Sequence, residues 1–197
     1  MSFITREIKP YFERSLSPLV SYLSDKKVHP NYITFAGLIL ILAGSVALYY
    51  KMTVPAFVLL AVGSLLDAVD GAVARKMGIE SDFGAFLDST VDRFSDALPF
   101  MATALIYSQE GYPEGVILSF TSMLGSFTVS YTRARAESVG IYGIGGFFER
   151  TERWIVLLIG IIADLIPLAL LIITLGALGT SLQRILEVRR ALRRRYL

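Results

Sequence analysis

Long apolar runs separated by short polar segments dominate this chain. Asp164 and Pro167 interrupt the last run, which therefore divides into two. The third run must begin upstream, near Phe83, because a helix needs roughly 20 residues to cross ~30 Å of hydrocarbon. The pattern predicts an all-α integral membrane protein with six transmembrane helices. The runs are Tyr32–Tyr50, Met52–Leu66, Ala97–Tyr107, Val116–Thr132 and Trp154–Gly179.

The N-terminal segment has a different pattern, with apolar side chains at helical spacing and charged residues between them. This pattern predicts an amphipathic helix on the membrane surface. Residues 1–28 then form a juxtamembrane helix, and residues 29–197 form the six-helix domain. Pro10 and Pro18 argue against one unbroken helix, since each proline starts or kinks a segment.

Charge placement supports six spans. Of 19 Lys and Arg residues, only Lys51 falls on the side opposite the termini. The positive-inside rule then makes the terminal side cytoplasmic, so we expect a plasma-membrane protein with both termini and its active site on that side. The basic run from Arg184 to Arg195 extends the last helix, and we expect it to bind lipid headgroups. No nucleic-acid partner is expected.

The amino-acid composition limits the nucleophiles and metal ligands that the chain can supply. The chain is 54% hydrophobic and has no cysteine, which excludes a thiol nucleophile and cysteine-bound zinc. With a single histidine, His29, a cation must be held mainly by oxygen atoms. Mg²⁺ and Mn²⁺ prefer such ligands.

Four aspartates next to the apolar runs carry the strongest functional signal. Asp67 and Asp70 are three residues apart, and Asp88 and Asp92 are four apart, so each pair shares one helix face. Ionised carboxylates near hydrocarbon cost several kcal/mol each unless they are paired or bind a cation. The residues therefore predict a divalent-metal site.

Small residues and one arginine accompany these aspartates. Gly71 and Gly84 allow a phosphate to approach the backbone, Ala74 keeps the same face shallow, and Arg75 offers a fork for phosphate oxygens. Together they predict a pocket for a metal–diphosphate, with a pair of metal ions. The alternatives are a buried ionic network, the ion pathway of an ion-coupled transporter, and a membrane prenyltransferase.

The complete spacing resembles the signature of the CDP-alcohol phosphotransferases, and the six-span layout is similar to that family. The pattern is Asp67-x2-Asp70-Gly71-x2-Ala74-Arg75-x8-Gly84-x3-Asp88-x3-Asp92. The resemblance implies a homodimeric membrane enzyme that displaces CMP from a CDP-linked lipid with an alcohol. The lipid is CDP-diacylglycerol or CDP-archaeol, since apolar spans tolerate either.

The same resemblance implies roles for individual residues. Asp67, Asp70 and Asp88 hold two Mg²⁺ or Mn²⁺ ions, while Asp92 lies at the second metal and accepts the proton of the attacking hydroxyl. Asp96 falls outside the pattern, and we expect a structural role for it. The residues implied in CDP-lipid binding are Asn31, Tyr32, Ile33, Thr34, Gly71, Ala74, Arg75, Ser81 and Gly84.

A second basic segment bears on the acceptor alcohol. Arg133, Arg135, Arg150 and Arg153 bracket a glycine-rich loop, residues 140–146, on the side of the aspartates. An acceptor that carries its own phosphate needs such a cluster. The alternative is helix-end salt bridging, by the i,i+4 pairs Arg133 with Glu137 and Glu149 with Arg153.

This segment resembles the inositol-phosphate branch of the family, the phosphatidylinositol-phosphate and archaetidylinositol-phosphate synthases. The resemblance implies that Arg133, Arg153 and Arg193 bind the acceptor phosphate. Inositol phosphate is the acceptor it favours, and glycerol 3-phosphate is the alternative.

Overall fold

In the computed structural model, the backbone is described for residues 3–195 and the side chains for residue 11 and residues 14–194. Over that range the chain forms seven α-helices and no strand, which confirms the predicted all-α fold. Residues 1, 2, 196 and 197 of the two predicted segments lie outside the described residues. The helices are α1 (Phe3–Asp25), α2 (Pro30–Tyr49), α3 (Thr53–Met77), α4 (Asp82–Gln109), α5 (Pro113–Ser138), α6 (Arg150–Ile162) and α7 (Ile166–Arg195).

The N-terminal helix α1 continues through both of its prolines, so the expected break is absent from this helix. Val20 of α1 packs with Ile33, Val69 and Val73 in one buried apolar cluster. Each proline removes a backbone hydrogen bond, and packing against α2 and α3 stabilises the helix despite that loss. The position of α1 on a membrane surface stays a prediction.

Helices α2 to α7 coincide with the six predicted apolar segments. Among the described residues, three helices are long and apolar enough to cross a membrane: Pro30–Tyr49, Thr53–Met77 and Ile166–Arg194. Helix α6 has only 13 residues. Six crossings therefore stay a prediction.

Small residues bring α2 and α3 into close contact. A Cβ atom on Gly63 would lie 3.0 Å from the carbonyl oxygen of Gly37 and 3.1 Å from the backbone nitrogen of Ile41. Without side chains at these positions, two backbones can approach closely, as in other membrane helix pairs. This approach brings the start of α2 beside the end of α3.

Hydroxyl groups link the helices on the other side of the bundle. The Thr103 hydroxyl donates to the Ser119 hydroxyl at 3.0 Å and joins α4 to α5. The Ser122 hydroxyl donates to the carbonyl of Leu170 at 2.9 Å and joins α5 to α7. Such bonds between helices are worth about 1 kcal/mol each in membrane proteins.

Two connecting loops meet at the end of the bundle away from the α3–α4 turn. Lys51 Nζ donates to Glu110 Oε1 at 2.6 Å, and the Gln109 amide donates to the Tyr49 hydroxyl at 2.6 Å. These contacts bring the α2–α3 and α4–α5 loops to one end, as the charge pattern predicts. Which side of the membrane that end faces stays a prediction.

Candidate active site

A tight turn at residues 78–81 brings the end of α3 and the start of α4 together. Helix α3 ends at Gly78, whose φ of 65° lies in the left-handed region that favours glycine. Ser81 caps α4, since its hydroxyl accepts a hydrogen bond from the Gly84 backbone N–H at 3.0 Å. The turn lets the aspartates of both helices face one another.

Three of the four motif aspartates converge. Asp67, Asp88 and Asp92 each offer a carboxylate oxygen, and these atoms all lie within 4.8 Å of one another. Asp88 Oδ1 is buried and has no hydrogen-bond partner among the described residues. Three carboxylates from two helices, one with an unsatisfied oxygen, fit a divalent cation that prefers oxygen ligands. We call these three residues the carboxylate cluster.

Asp70, the fourth aspartate of the motif, contacts α2. It is 5% exposed, and its carboxylate accepts a hydrogen bond from the Thr34 hydroxyl of α2. It lies outside the carboxylate cluster. The structure thus arranges the four predicted metal ligands as three clustered groups and one group fixed by α2.

Arg150, which the sequence left without a definite role, reaches into the carboxylate cluster. Its Nη1 donates to Asp67 Oδ2 and lies 2.9 Å from Asp92 Oδ1. Its Nε donates to Asp96 Oδ1 at 3.0 Å. One guanidinium thus contacts carboxylates of α3 and of two turns of α4.

Asp96 is the buried anchor of α6 against α4. It is 4% exposed and also accepts hydrogen bonds from Arg153 Nη2 at 3.4 Å and from the Trp154 indole N–H at 3.3 Å. These contacts are consistent with the structural role expected for Asp96. A carboxylate buried with such donors is satisfied without a metal.

Arg150 and Arg153 lie on the first turn of α6 and share one face of that helix. Glu149 and Glu152 form a capping box, in which each side chain accepts from a backbone N–H of the other end of the first turn. Arg150 and Arg153 are three residues apart on this capped turn and share one face. That face meets α4, where Asp92 and Asp96 also share a face.

The residues expected to bind the CDP-lipid lie around the same end of the bundle. Tyr32 is 74% exposed, whereas Ile33 is buried in the apolar cluster with α1 and α3. The Asn31 backbone N–H donates to His29 Nδ1 at 3.3 Å, at the cap of α2.

The two glycines of the motif lie next to polar side chains. A Cβ atom on Gly71 would lie 3.4 Å from Arg75 Nη1, and one on Gly84 would lie 3.1 Å from the Ser81 hydroxyl. Ala74 is half-buried, and Arg75 and Ser81 are exposed. The lipid-binding roles of these residues stay predictions.

The three arginines expected to bind the acceptor phosphate have different surroundings, and their shared role stays a prediction. Arg133 is exposed and pairs with Glu137 at 3.2 Å, the i,i+4 contact of the alternative interpretation. Arg153 is buried beside Asp96, and Arg193 is exposed near the end of α7.

Arg184 is a buried cation that the sequence placed in a solvated tail. It is 2% exposed, and donates to the carbonyls of Gly145 and Val129 and to Glu149 Oε1. It therefore fastens the glycine-rich loop and the cap of α6 to α7. The sequence carries no signal of this burial, because it arises from contacts with residues 35 or more positions away.

Comparison with known proteins identifies the fold and chemistry. The family model described as CDP-alcohol phosphatidyltransferase matches residues 27–183. A protein of Aquifex aeolicus is 55% identical over 98% of both chains. The archaetidylinositol phosphate synthase of Pyrococcus horikoshii is 34% identical and covers 94% of this chain and 97% of its own.

Solved structures agree with this result. The phosphatidylinositol phosphate synthase of Mycobacterium tuberculosis with CDP-DAG bound has a TM-score of 0.78 and 29% sequence identity, covering 89% of this chain and 94% of its own. The same enzyme in complex with manganese and citrate also has a TM-score of 0.78 and 29% identity, covering 87% of each chain.

These similarities span the helices that carry the carboxylate cluster. They favour a transferase over the ion-coupled transporter and over the membrane prenyltransferase. The apolar helices and the family together indicate a membrane protein. The chain belongs to the CDP-alcohol phosphatidyltransferase family and is a phospholipid-synthesising transferase.

Proposed function

We propose that this enzyme transfers a phosphatidyl-type group from a CDP-lipid to the hydroxyl of inositol phosphate and releases CMP. The observation that carries the proposal is the convergence of Asp67, Asp88 and Asp92 from two adjacent helices. The inositol-phosphate synthases among its relatives support the choice of acceptor. The lipid is CDP-diacylglycerol or CDP-archaeol.

The balance of charge around the cluster supports binding of a metal with a diphosphate. Five carboxylates, Asp67, Asp70, Asp88, Asp92 and Asp96, face three guanidinium groups, Arg93, Arg150 and Arg153. When all are ionised, two negative charges remain. Two divalent cations together with a doubly charged diphosphate would neutralise the site, which reduces the cost of charge near hydrocarbon.

Asp67, Asp70 and Asp88 would hold two Mg²⁺ or Mn²⁺ ions, with Asp92 at the second. When bound, such ions neutralise phosphate oxygens and stabilise the leaving group. Asp92 would accept the proton of the attacking hydroxyl, a role that the family resemblance implies and that its place in the carboxylate cluster supports. Thr34 positions Asp70 by its hydrogen bond.

Arg133, Arg153 and Arg193 would bind the acceptor phosphate. Arg153 supports this role best, since its Nη1 is buried without a hydrogen-bond partner among the described residues, one turn from Arg150. A charged donor in that state binds an anion strongly because it has already lost its water. Arg75 and Ser81, with the start of α2, would hold the CDP-lipid.

We further propose a homodimer with six membrane spans and its active site and termini in the cytoplasm. Residues 1–28 would form the surface helix, and residues 29–197 the catalytic domain. The packing of Val20 on α3, and the bond from Lys76 Nζ to the Ser21 hydroxyl at 2.5 Å, support a fixed position of α1 beside the site.

The test is transfer from labelled CDP-diacylglycerol and CDP-archaeol by purified protein in nanodiscs. Inositol phosphate, glycerol 3-phosphate, inositol and serine are offered in parallel, with Mg²⁺, with Mn²⁺ and with a chelator. We expect metal-dependent CMP release that is fastest with inositol phosphate. A preference for glycerol 3-phosphate would contradict the choice of acceptor, and a preference for inositol or serine would contradict a phosphate-binding site.

A further inference from the structure

The guanidinium of Arg150 contacts two of the three carboxylates that would hold a divalent cation. Nη1 of Arg150 contacts both Asp67 Oδ2 and Asp92 Oδ1, the second at 2.9 Å. Asp67 and Asp92 are also two of the three residues whose oxygens lie within 4.8 Å of one another. A cation held by these carboxylates would lie next to the bridging guanidinium, and the two positive charges would repel each other and compete for the same carboxylates.

Arg150 has a second point of attachment, which the cation would not disturb. Its Nε donates to Asp96 Oδ1 at 3.0 Å, and Asp96 is 4% exposed and also held by Arg153 and Trp154. Asp96 lies outside the carboxylate cluster. The arginine can therefore leave Asp67 and Asp92 while it stays anchored to Asp96.

We propose that Arg150 is an internal counter-cation that competes with the divalent metal for Asp67 and Asp92. In the absence of metal, its charge offsets the repulsion between carboxylates held close together near hydrocarbon. When metal binds, the Nη1 end moves off the cluster and Asp96 retains the side chain. This inference rests on the metal site of the proposed function.

The competition can be measured without turnover. Mn²⁺ binding to the full-length protein in detergent is titrated by calorimetry for wild type, Arg150→Gln and Arg150→Lys. We expect Arg150→Gln to bind Mn²⁺ about tenfold more tightly or better, the size of one lost charged hydrogen bond. The Mn²⁺ affinity of Arg150→Lys should lie between that of wild type and that of Arg150→Gln, since one ammonium is a compact charge that cannot bridge three carboxylates.

Thermal unfolding supplies a second readout. In chelator, Arg150→Gln should unfold at a lower temperature than wild type, because the carboxylates lose their counter-cation. Saturating Mn²⁺ should then raise its unfolding temperature more than it raises that of wild type. An equal gain in the two proteins would contradict the competition.

A matched control removes one positive charge elsewhere. Arg135 lies near the end of α5 and donates to the Ser138 hydroxyl at 3.1 Å. Arg135→Gln should leave Mn²⁺ affinity unchanged, and an increase equal to that of Arg150→Gln would assign the effect to net charge and overturn the proposal.

The outcomes separate the inference from the proposed function. If wild type binds no Mn²⁺, the metal site itself fails, and the inference with it. If wild type binds Mn²⁺ and neither Arg150 variant binds more tightly, the site stands and the competition is wrong. Should Arg150→Gln not fold, weaker binding by Arg150→Lys than by wild type would likewise contradict the competition.

Discussion

The carboxylate cluster and the predicted acceptor arginines are two polar regions of one protein. They differ in the partners that their side chains contact. Asp67, Asp88 and Asp92 have oxygens within 4.8 Å of one another. Arg133, in contrast, pairs with its own helix neighbour Glu137, while Arg153 is buried against Asp96. The structure therefore brings carboxylates of α3 and α4 together, whereas Arg133 and Arg153 are each paired with a separate carboxylate.

The difference follows from which helices carry the aspartates and which carry the arginines. The aspartates lie on two helices joined by a tight turn, so helical spacing decides which side chains share a face. The arginines belong to α5, α6 and α7, and two of those helices are separated by the loop 139–149. Their relative position depends on the packing of whole helices, which local spacing does not encode.

The largest expected effect is loss of a predicted metal ligand. Asp67→Asn, Asp70→Asn and Asp88→Asn should each reduce metal-dependent transfer by about a thousandfold or more, ~4 kcal/mol of barrier, because a carboxamide keeps the shape but loses the charge that holds the metal. Initial rates of CMP release measure this, with gel filtration in detergent to show that each variant is folded. Activity above about a tenth of wild type in two variants would refute the metal assignment, since a tenth is only ~1.4 kcal/mol.

The next largest effect concerns Asp92. Asp92→Asn should lower kcat at least about a hundredfold, the contribution of a general base, while weakening CDP-lipid binding far less. Separate measurement of kcat and of CDP-lipid affinity tests this. Equal losses in both would make Asp92 a binding ligand and not the base.

The acceptor arginines should give smaller and more selective effects. Arg153→Gln and Arg133→Gln should raise the KM for inositol phosphate about 10- to 150-fold, since a charged hydrogen bond contributes roughly 1.5–3 kcal/mol. The affinity for CDP-lipid should stay nearly unchanged. Steady-state kinetics with each substrate varied in turn would detect this, and an unchanged KM in both variants would leave the arginines with structural roles alone.

The smallest effect separates the two interpretations of Arg133. Its partner Glu137 lies in an exposed i,i+4 pair at 3.2 Å, and such pairs contribute about 0.3–0.5 kcal/mol to stability. Glu137→Gln should therefore lower the free energy of unfolding by that amount and leave the KM for inositol phosphate unchanged. If it instead raises that KM as much as Arg133→Gln does, the pair itself belongs to the acceptor site.

The sequence alone determined much of this protein. Apolar runs indicated the positions of helices α2 to α7, because burial in lipid or in a helix bundle requires long stretches of apolar side chains. The spacing of Asp67 with Asp70, and of Asp88 with Asp92, predicted that each pair shares one helix face, since the period of a helix fixes which side chains point the same way. The four aspartates together predicted a metal site. Oxygen ligands followed from the absence of cysteine and the presence of a single histidine.

Tertiary structure decided the partners of the charges. Arg150 beside Asp67 and Asp92, Thr34 on Asp70, and Arg184 buried against the loop at Gly145 all join residues at least 36 positions apart. Sequence spacing carries no information on such contacts, because they depend on how helices pack across the bundle. The continuous course of α1 through Pro10 and Pro18 has the same origin, in packing against α2 and α3.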